Sequence, residues 1–302
     1  MNVLVTGSNG FIGRHVCEYL KKQGHYIIGL GRRKNRICQV DEYICCDMDT
    51  DKVDSIYGMM RTDKLDGVVH LAADMRKEPY GIEIVSHNCV GTQRILELCE
   101  KKEVGVFVQL SSLPVIGKPI EHPITEKHPL MPPTVYHATK IMEELLASYA
   151  DYTHGLRTVS FRISAPVGIG MNPATIFPTF VFKAIKGEDL ILSGNGNREQ
   201  TYVHVEDIAQ AISLALQNEN GHGVYNLSSY NRLSNKELAE KCIETLHSNS
   251  RIVFSGQKDE MDDYIWDVSL DKIQQELGYE PKIGIEHAIR EYASSLCQED
   301  GE

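Results

Sequence analysis

The sequence has no long hydrophobic run and no excess of positive charge. No uninterrupted apolar stretch approaches the roughly 18 residues that a membrane-spanning helix needs, and no basic segment precedes the strand-like MNVLVTG. Lys and Arg number 31 against 42 Asp and Glu, so the net charge is −11 with neutral histidines. This balance argues against a general nucleic-acid or membrane-surface binder. We therefore expect a cytoplasmic protein that acts on a small molecule.

Disulfide and metal-ligand patterns are also missing. The eight cysteines are scattered, with no CxxC spacing and one adjacent pair, Cys45 and Cys46. The twelve histidines show no HExxH spacing. Because a chain of 302 residues with 42% apolar residues can bury a large core without disulfides, we predict free thiols in a reducing compartment and no metal site.

The first half of the chain alternates strand and helix patterns. Short β-branched runs, several apolar on both faces, predict strands at Asn2–Thr6, Tyr26–Leu30, Glu42–Cys46, Val68–Leu71, Val106–Leu110 and Thr158–Ile163. Apolar residues at helical spacing predict helices at Phe11–Lys22, Ile82–Lys101 and Tyr136–Tyr152. This alternation predicts an α/β fold, a Rossmann-type doubly wound parallel sheet.

The regular alternation of strand and helix patterns ends after about Pro166, where proline and glycine interrupt it. Helices are predicted at Phe177–Lys186, Val205–Gln217, Asn235–His247 and Ile285–Leu296, with a strand at Val224–Leu227. We therefore divide the chain into a sheet domain over residues 1–165 and a smaller C-terminal lobe over residues 166–302, partly interleaved with the first.

A glycine-rich turn joins the first strand to the first helix. Glycines at positions 7, 10 and 13 suit a tight turn: one turns the chain, one lets backbone amides approach a pyrophosphate, and one lets the helix pack on the strand. The helix N-terminus adds N–H donors and the positive end of its dipole. We predict a dinucleotide site formed by Gly7, Gly10, Phe11, Ile12 and Gly13.

The spacing GxxGxxG, preceded by Thr6, resembles the short-chain dehydrogenase/reductase family in its extended branch of nucleotide-sugar epimerases and dehydratases. Further family-like segments follow in the same order: HLAA at 70–73, HNCVGT at 87–92, LSS at 110–112, PTVYHATK at 133–140, YVHVEDIA at 202–209 and LGYEP at 277–281. The resemblance covers residues 2 to about 296. It implies an NAD(P)-binding domain, a substrate-binding lobe and hydride transfer at a secondary alcohol or ketone.

The end of the second strand bears on the choice of dinucleotide. Gly31 stands where NAD-preferring members of the family carry an acid, and Arg32 and Arg33 follow it. With no carboxylate to repel a 2′-phosphate and two guanidinium groups to receive it, NADP is favoured over NAD. Arg14 could add to this pocket. The resemblance also implies that Asp47 and Met48 contact the adenine.

Tyr136 and Lys140 form the centre of the predicted catalytic site, because residues four apart share one helix face. A lysine ammonium beside a phenol lowers the tyrosine pKa from about 10 toward working pH, which gives a usable general acid/base. Ser112, at the carboxyl end of a strand, can donate to the substrate oxygen. The resemblance implies that Lys140 also holds the nicotinamide ribose and that Asn88 orders water or backbone beside the cofactor. It implies further cofactor contacts from Leu71, Ala72, Ala73 and Tyr136.

Two segments depart from the family pattern. The family's sugar 4,6-dehydratases follow the catalytic hydroxyl with an Asp-Glu pair, whereas Leu113 and Pro114 follow here, so dehydration by that mechanism is not expected. Nucleotide-sugar members place a diphosphate-gripping arginine seven residues before the Asp of the YVHVxD segment, a position held here by Gln200. Arg198 lies two positions away and could compensate from a shifted loop, although a guanidinium displaced by two residues usually faces elsewhere. The candidate substrate contacts are Met75, Arg76, Leu113, Arg198 and Gln200.

Three functions remain open on the sequence alone. One is an NAD(P)-dependent oxidoreductase or epimerase acting on a sugar nucleotide or related substrate. Another is an NADPH-dependent reductase of a non-nucleotide carbonyl compound, which Gly31 and Arg32 favour. The third is a non-catalytic dinucleotide sensor, disfavoured because the serine, tyrosine and lysine are all present. The resemblance also implies a homodimer that packs through the helices predicted at Ile82–Lys101 and Tyr136–Tyr152.

Overall fold

The core of the protein is a seven-stranded sheet in which every strand runs parallel to its neighbours. The computed structural model describes residues 1–48, 53–75 and 81–299. In chain order the strands are β1 (Asn2–Thr6), β2 (Tyr26–Gly31), β3 (Glu42–Cys45), β4 (Gly67–His70), β5 (Val106–Ser112), β6 (Arg157–Ile163), β7 (Ala165–Val167), β8 (Leu190–Leu192), β9 (Glu199–His204), β10 (Gly223–Leu227), β11 (Asn231–Ser234) and β12 (Ile252–Phe254). The central sheet has the order β10-β6-β5-β4-β1-β2-β3. The winding direction therefore reverses between β1 and β4, where such sheets open a crevice for a ligand.

Helices cover both faces of this sheet. They are α1 (Phe11–Lys22), α2 (Val53–Gly58), α3 (Ile82–Val85), α4 (Gly91–Lys101), α5 (Val135–His154), α6 (Ile176–Lys186), α7 (Val205–Gln217), α8 (Asn235–Thr245), α9 (Asp271–Leu277) and α10 (Ile285–Glu299). A π-helical turn, Ser86–Val90, joins α3 to α4, and a 3₁₀ turn, Leu113–Ile116, follows β5.

The apolar pattern of the strands explains these two layers. In β1, Val3 and Val5 pack into the core formed with α1 and α7, whereas Leu4 packs into the opposite core with α4 and α5. Alternate residues point to opposite faces of a strand, so a sheet covered on both sides needs apolar residues at every position. All three side chains are completely buried.

The C-terminal lobe has its own core and its own short sheets. Strands β11, β9 and β7 form a mixed sheet, and β12 pairs with β8. Helices α6, α8 and α10 enclose the apolar residues of this lobe. The chain also returns to the main domain after residue 166, since α7 packs on α1 and β10 adds an edge strand beside β6.

The predicted wound sheet is confirmed, and its six first-half strands lie within two residues of the expected bounds. The helix expected over Ile82–Lys101 contains the π-helical turn, which apolar spacing alone does not reveal. The elements that the sequence pattern missed are three to seven residues long, and runs this short show little measurable period. They are β7, β8, β9, β11, β12, α2 and α9.

Within the described ranges, no helix is long and apolar enough to cross a bilayer. Over the same residues, no three or more His, Cys, Asp or Glu side chains are arranged to hold a metal ion. All eight cysteines are free thiols.

Candidate active site

A cavity of about 1190 Å³ opens at the carboxyl ends of the parallel strands, against the C-terminal lobe. It brings together most of the residues that the sequence singled out. Those lining it are Gly7, Gly10, Phe11, Ile12, Gly13, Leu71, Ala73, Met75, Ser112, Leu113, Tyr136, Lys140, Arg198 and Gln200. Ala72, Asn88, Arg32, Arg33, Asp47 and Met48 are not part of this lining. Arg76 lies outside the described residues.

The glycine turn is a backbone cradle that side chains would fill. Gly7 has φ +65°, and a Cβ added there would lie 2.7 Å from Ala72 N. A Cβ on Gly13 would lie 2.2 Å from Gly7 O. Helix α1 begins directly after Gly10, which gives no side-chain cap, so its first N–H groups are left for a ligand. The residues present therefore fit a dinucleotide pyrophosphate.

The segment after β4 is fixed against this turn by buried polar groups. Thr6 Oγ1 accepts from the N–H groups of Leu71 and Ala72, both at 3.2 Å. Asn88 is completely buried; its Nδ2 donates to Asp74 O and to Thr139 Oγ1, and its Oδ1 accepts from Asp74 N. Asn88 thus ties the chain beyond β4 to helix α5, which carries Tyr136 and Lys140.

Arg32 and Arg33 lie exposed at the end of β2, beyond the glycine turn. Arg32 Nη1 is 3.2 Å from His87 Nε2. Gly31 is closely covered, since an added Cβ would lie 2.9 Å from Tyr43 Oη. Arg14 does not join this group: its Nη2 donates to Ile169 O at 2.9 Å, so this guanidinium is engaged with the C-terminal lobe. Arg32 and Arg33 are therefore the two arginines that lie at the end of β2, where a 2′-phosphate was expected.

Asp47 and Met48 follow β3 and are half-buried. Arg94 Nη1 donates to Met48 O at 2.9 Å, which connects this segment to α4. The Met48 side chain lies 3.7 Å from the position of a Cβ on Gly91. These contacts hold the predicted adenine-side pair beside the N-terminus of α4.

Ser112, Tyr136 and Lys140 converge from two elements. Ser112 is the last residue of β5, and the other two lie in the first turns of α5, whose N-cap Thr134 accepts from His137 N. Lys140 Nζ lies 5.9 Å from the centre of the Tyr136 ring. Lys140 is buried, and its Nζ is 2.8 Å from Glu143 Oε2. The predicted serine, tyrosine and lysine therefore share one wall of the cavity.

The electrostatics of Tyr136 differ from the sequence expectation. Burial raises the pKa of Tyr136, and this effect outweighs the lowering by Lys140. Glu143 raises the Tyr136 pKa further. The expectation that Lys140 brings the phenol toward working pH is therefore wrong for this arrangement, because it counted the neighbouring cation but neither the burial nor the carboxylate beside that cation.

Arg198 and Gln200, two of the candidate substrate contacts, both line the cavity. Arg198 directly precedes β9, and residues two apart in an extended chain point to the same face. Arg198 Nη1 is 4.0 Å from Asp259 Oδ1 and remains about one-third exposed. Arg198 therefore places a cation in the cavity two residues before Gln200.

Several cavity residues had no signal in the sequence. Lys118, His137, Met261, Tyr264 and Trp266 all contribute to the lining. Lys118 Nζ contacts Asp263 Oδ2 at 2.5 Å and lies 5.5 Å from the Tyr264 ring centre. His137 packs edge-on against Tyr136 with 5.1 Å between ring centres, and burial lowers its pKa. Because Lys118 and its partner are 145 residues apart, no local pattern could predict their pairing.

Three cationic side chains line the cavity of this acidic protein, and each has a carboxylate partner outside the lining. Its lining includes Lys118, Lys140 and Arg198, whereas no Asp or Glu occurs among the described lining residues. The protein as a whole has a net charge of −11. A concave site with cations and aromatic side chains suits an anionic small molecule with a flat or apolar part.

The wound sheet and the glycine turn define a class of dinucleotide-dependent enzymes. The model of the NAD dependent epimerase/dehydratase family matches residues 3–228, so the chain belongs to that family and is an enzyme of it. The predicted family and enzyme class are thereby confirmed.

Proteins from several organisms are similar over nearly the whole chain. The low-salt glycan biosynthesis protein Agl12 of Haloferax volcanii is 30% identical over 96% of each chain. A dTDP-glucose 4,6-dehydratase of Streptomyces niveus is 28% identical over 96% of this chain and 91% of its own. Among solved structures, a UDP-glucose 4-epimerase of Thermotoga maritima with UDP-glucose superimposes with a TM-score of 0.88 at 22% identity, covering 99% of both chains. This last likeness shows the shared fold.

Proposed function

We propose that the protein is an NAD(P)-dependent oxidoreductase or epimerase that acts at a secondary alcohol or ketone of a sugar nucleotide or related substrate. The observation that carries this proposal is the presence of Ser112, Tyr136 and Lys140 in one cavity with the glycine turn. When bound, the nicotinamide would supply the hydride donor or acceptor. The glycine turn would hold the pyrophosphate.

Each of the three residues has a role that follows from its position. Ser112, at the end of β5, donates a hydrogen bond to the substrate oxygen and fixes its orientation. Tyr136 gives or takes the proton of that oxygen through its phenol. Lys140, buried beside the phenol, favours the ionised form of Tyr136 and is placed to hold the nicotinamide ribose.

The cationic side chains of the lining support an anionic substrate. Arg198 belongs to the C-terminal lobe and Lys118 pairs with Asp263 of that lobe, and both line the cavity with Tyr136. A guanidinium is well suited to bind a diphosphate. The names of relatives point to sugar nucleotides as well, since they include a dTDP-glucose dehydratase and a UDP-glucose 4-epimerase.

We further propose that the protein is not a 4,6-dehydratase, although dehydratases are among its relatives. Dehydration needs groups that add and remove protons beside the catalytic hydroxyl. Leu113 is buried, and neither Leu113 nor Pro114 has an ionisable group. No carboxylate among the described lining residues replaces them.

A reductase of a non-nucleotide carbonyl compound is the second candidate. It is favoured by Gly31 and Arg32, because NADPH commonly serves reductions that exchange the cofactor at every turnover. The two candidates differ in a measurable way: an epimerase returns the hydride to the substrate, so it consumes no NADPH, whereas a reductase oxidises one NADPH for each product.

The deciding experiment is a thermal-shift screen of nucleotide sugars, free sugars and small ketones with NADP present, followed by turnover assays on the ligands found. A ligand at about 100 times its Kd stabilises by roughly 2.7 kcal/mol. Epimerised product with constant absorbance at 340 nm supports the epimerase, and stoichiometric loss of that absorbance supports the reductase. Cofactor binding without turnover on any member of the panel would instead indicate a dinucleotide sensor.

We also propose that NADP is bound in preference to NAD through Arg32. NADPH is expected to bind at least about ten-fold more tightly than NADH, because hydrogen bonds to charged groups contribute roughly 1.5–3 kcal/mol. Replacing Arg32 by alanine should reduce this difference, replacing Arg32 and Arg33 together should remove it, and both changes should leave NADH affinity unchanged. Arg36→Ala is the matched control, since Arg36 lies in the same exposed loop but donates to Val40 O. Equal affinities of the wild type for both dinucleotides would refute the preference.

We propose that the enzyme works in the cytoplasm as a homodimer. Helices α3 and α5 pack together and leave large apolar side chains exposed, with Ile82 81%, Leu145 60% and Tyr149 64% accessible. Large exposed apolar side chains on two helices that pack together are typical of an interface. Replacing Leu145 by glutamate is expected to convert a dimer to a monomer in sedimentation velocity. A monomeric wild type at micromolar concentration would contradict the proposal.

A further inference from the structure

Two neighbouring carboxylates of α5 are buried behind the catalytic residues, and they are satisfied very differently. Glu144 accepts from Arg162 Nε at 2.9 Å, from Arg162 Nη2 at 2.7 Å and from Ser111 Oγ at 2.5 Å. Glu143 has one side-chain partner, Lys140, at 2.8 Å. The contacts of Glu144 anchor α5 to β5 and β6. Among the described residues, the Glu143 carboxylate instead bonds only to Lys140 of the proposed catalytic site.

Burial of the Glu143 carboxylate in this arrangement is energetically unfavourable. It is 1% exposed, and its Oε1 has no hydrogen-bond partner among the described residues. Gln109 approaches the same residue, but its Nε2 donates to the backbone carbonyl of Glu143 and not to the carboxylate. Burying a carboxylate with half of its acceptors unused is unfavourable. Among the described residues, the hydrogen-bond partner of this carboxylate is Lys140, so the role of the Glu143 charge is sought in its effect on Lys140.

We propose that Glu143 is a positioning residue that holds the Lys140 ammonium by a buried ion pair and offsets its charge, so that Tyr136 stays protonated until the proton is removed in the reaction. The inference rests on the proposed acid/base role of Tyr136. Lys140 has its neighbours on one helix face: Tyr136 lies one turn before it, and Glu143 lies one turn after it. Glu143 therefore partly cancels the effect of the Lys140 charge on the phenol of Tyr136.

The other titratable groups around this cluster do not supply the same effect. On β4, burial lowers the pKa of His70 to about 3, so that the imidazole is neutral. On the π-helical turn, burial raises the pKa of Cys89 to about 11, so that the thiol is neutral. Glu144 is paired with Arg162 of β6, and burial lowers the pKa of His137. The charges that act on Tyr136 are those of Lys140 and Glu143.

The directions of the pKa shifts agree with this arrangement. Burial lowers the pKa of Lys140, whereas Glu143 and Tyr136 raise it. Their combined effect exceeds that of burial, so the pKa of Lys140 is raised. Burial raises the Glu143 pKa to about 7 against the opposing effect of Lys140. Protonation of Glu143 would leave Lys140 unopposed and make the phenol of Tyr136 easier to ionise.

The test follows the ionisation of Tyr136 itself and needs no substrate. Protein labelled with ¹³C at the ζ carbon of tyrosine is titrated by NMR, and the Tyr136 signal is assigned by its loss in the Tyr136→Phe variant. In the Glu143→Gln variant the midpoint of Tyr136 is expected to fall by about one pH unit or more, because an unopposed nearby cation shifts a pKa by roughly 1–3 units. An unchanged midpoint in a folded Gln variant would overturn the proposal.

The double variant Lys140→Met/Glu143→Gln removes both charges and covers the case in which the single variant does not fold. If Glu143 offsets Lys140, the Tyr136 midpoint in the double variant stays close to that of the wild type, whereas Lys140→Met alone raises it. A midpoint in the double variant well above that of the wild type would show that Glu143 does not offset Lys140, and would overturn the proposal. Because no turnover is measured, failure of the proposed reaction and failure of this inference remain separate results.

Discussion

Turnover is expected to fall on the order of 10³-fold when Tyr136 is replaced by phenylalanine, because that change removes the general acid/base and nothing else. The cavity offers few substitutes: its described lining holds no carboxylate, and the imidazole that packs beside Tyr136 is that of His137. The ring of Tyr136 is retained in the variant, so its packing against His137 is kept. The glycine turn is also unchanged, and NADPH affinity should stay within about two-fold of the wild type.

The control for this change is Tyr152→Phe. Tyr152 lies on the same helix but is 89% exposed, so removal of its hydroxyl tests for a general effect of the substitution on α5. Steady-state rates with the substrate found by screening, together with NADPH fluorescence titration, give both readouts. Activity of the Tyr136→Phe variant near the wild-type level would refute the role of the phenol.

The second large effect is expected at Gly13, where an alanine has no room. Its Cβ would lie 2.2 Å from Gly7 O and 2.9 Å from the Cα of Ser8, and both are backbone atoms that cannot rotate away. Helix α1 must therefore move away from β1, which deforms the cradle for the pyrophosphate. We expect Gly13→Ala to lower the free energy of unfolding by about 3 kcal/mol and to weaken NADPH binding at least about 100-fold.

Gly58→Ala is the matched control, since among the described residues no atom outside its chain neighbours and its own helix backbone lies within 4 Å of a Cβ at Gly58. Urea denaturation and NADPH titration should show little change in this variant. A Gly13→Ala protein with wild-type stability and wild-type affinity would mean that the turn does not pack as described, and that the dinucleotide is held elsewhere.

The sequence predicted the parts of the molecule that are encoded locally. The glycine turn, the strands of the wound sheet and the pair Tyr136 and Lys140 each follow from residues within a few positions of one another. Burial on both sheet faces leaves continuous apolar runs, which is why β1 and β5 could be placed to within two residues. The order of these segments also identified the family.

The remainder of the site depends on distant contacts and on burial. Lys118, Tyr264 and Trp266 come together only through folding of the lobe onto the sheet, over more than a hundred residues of chain. The raised pKa of Tyr136 required knowledge of its burial and of Glu143, neither of which the spacing YxxxK contains. Arg198 was judged by its offset from a motif, although an offset of two keeps a side chain on the same face of a strand.

The π-helical turn makes the length of the chain between α3 and α4 critical to a single residue. A π turn accommodates one more residue than an α-helix over the same rise, and the extra residue falls in Ser86–Val90, around the buried Asn88. Deleting one residue there would restore a regular helix in which α3 and α4 keep their present faces, but it would change the direction of the side chains within the turn. Asn88 could then no longer reach both Asp74 and Thr139. Natural insertions and deletions should therefore avoid this segment, although it lies between two helices that would each tolerate ordinary surface substitutions.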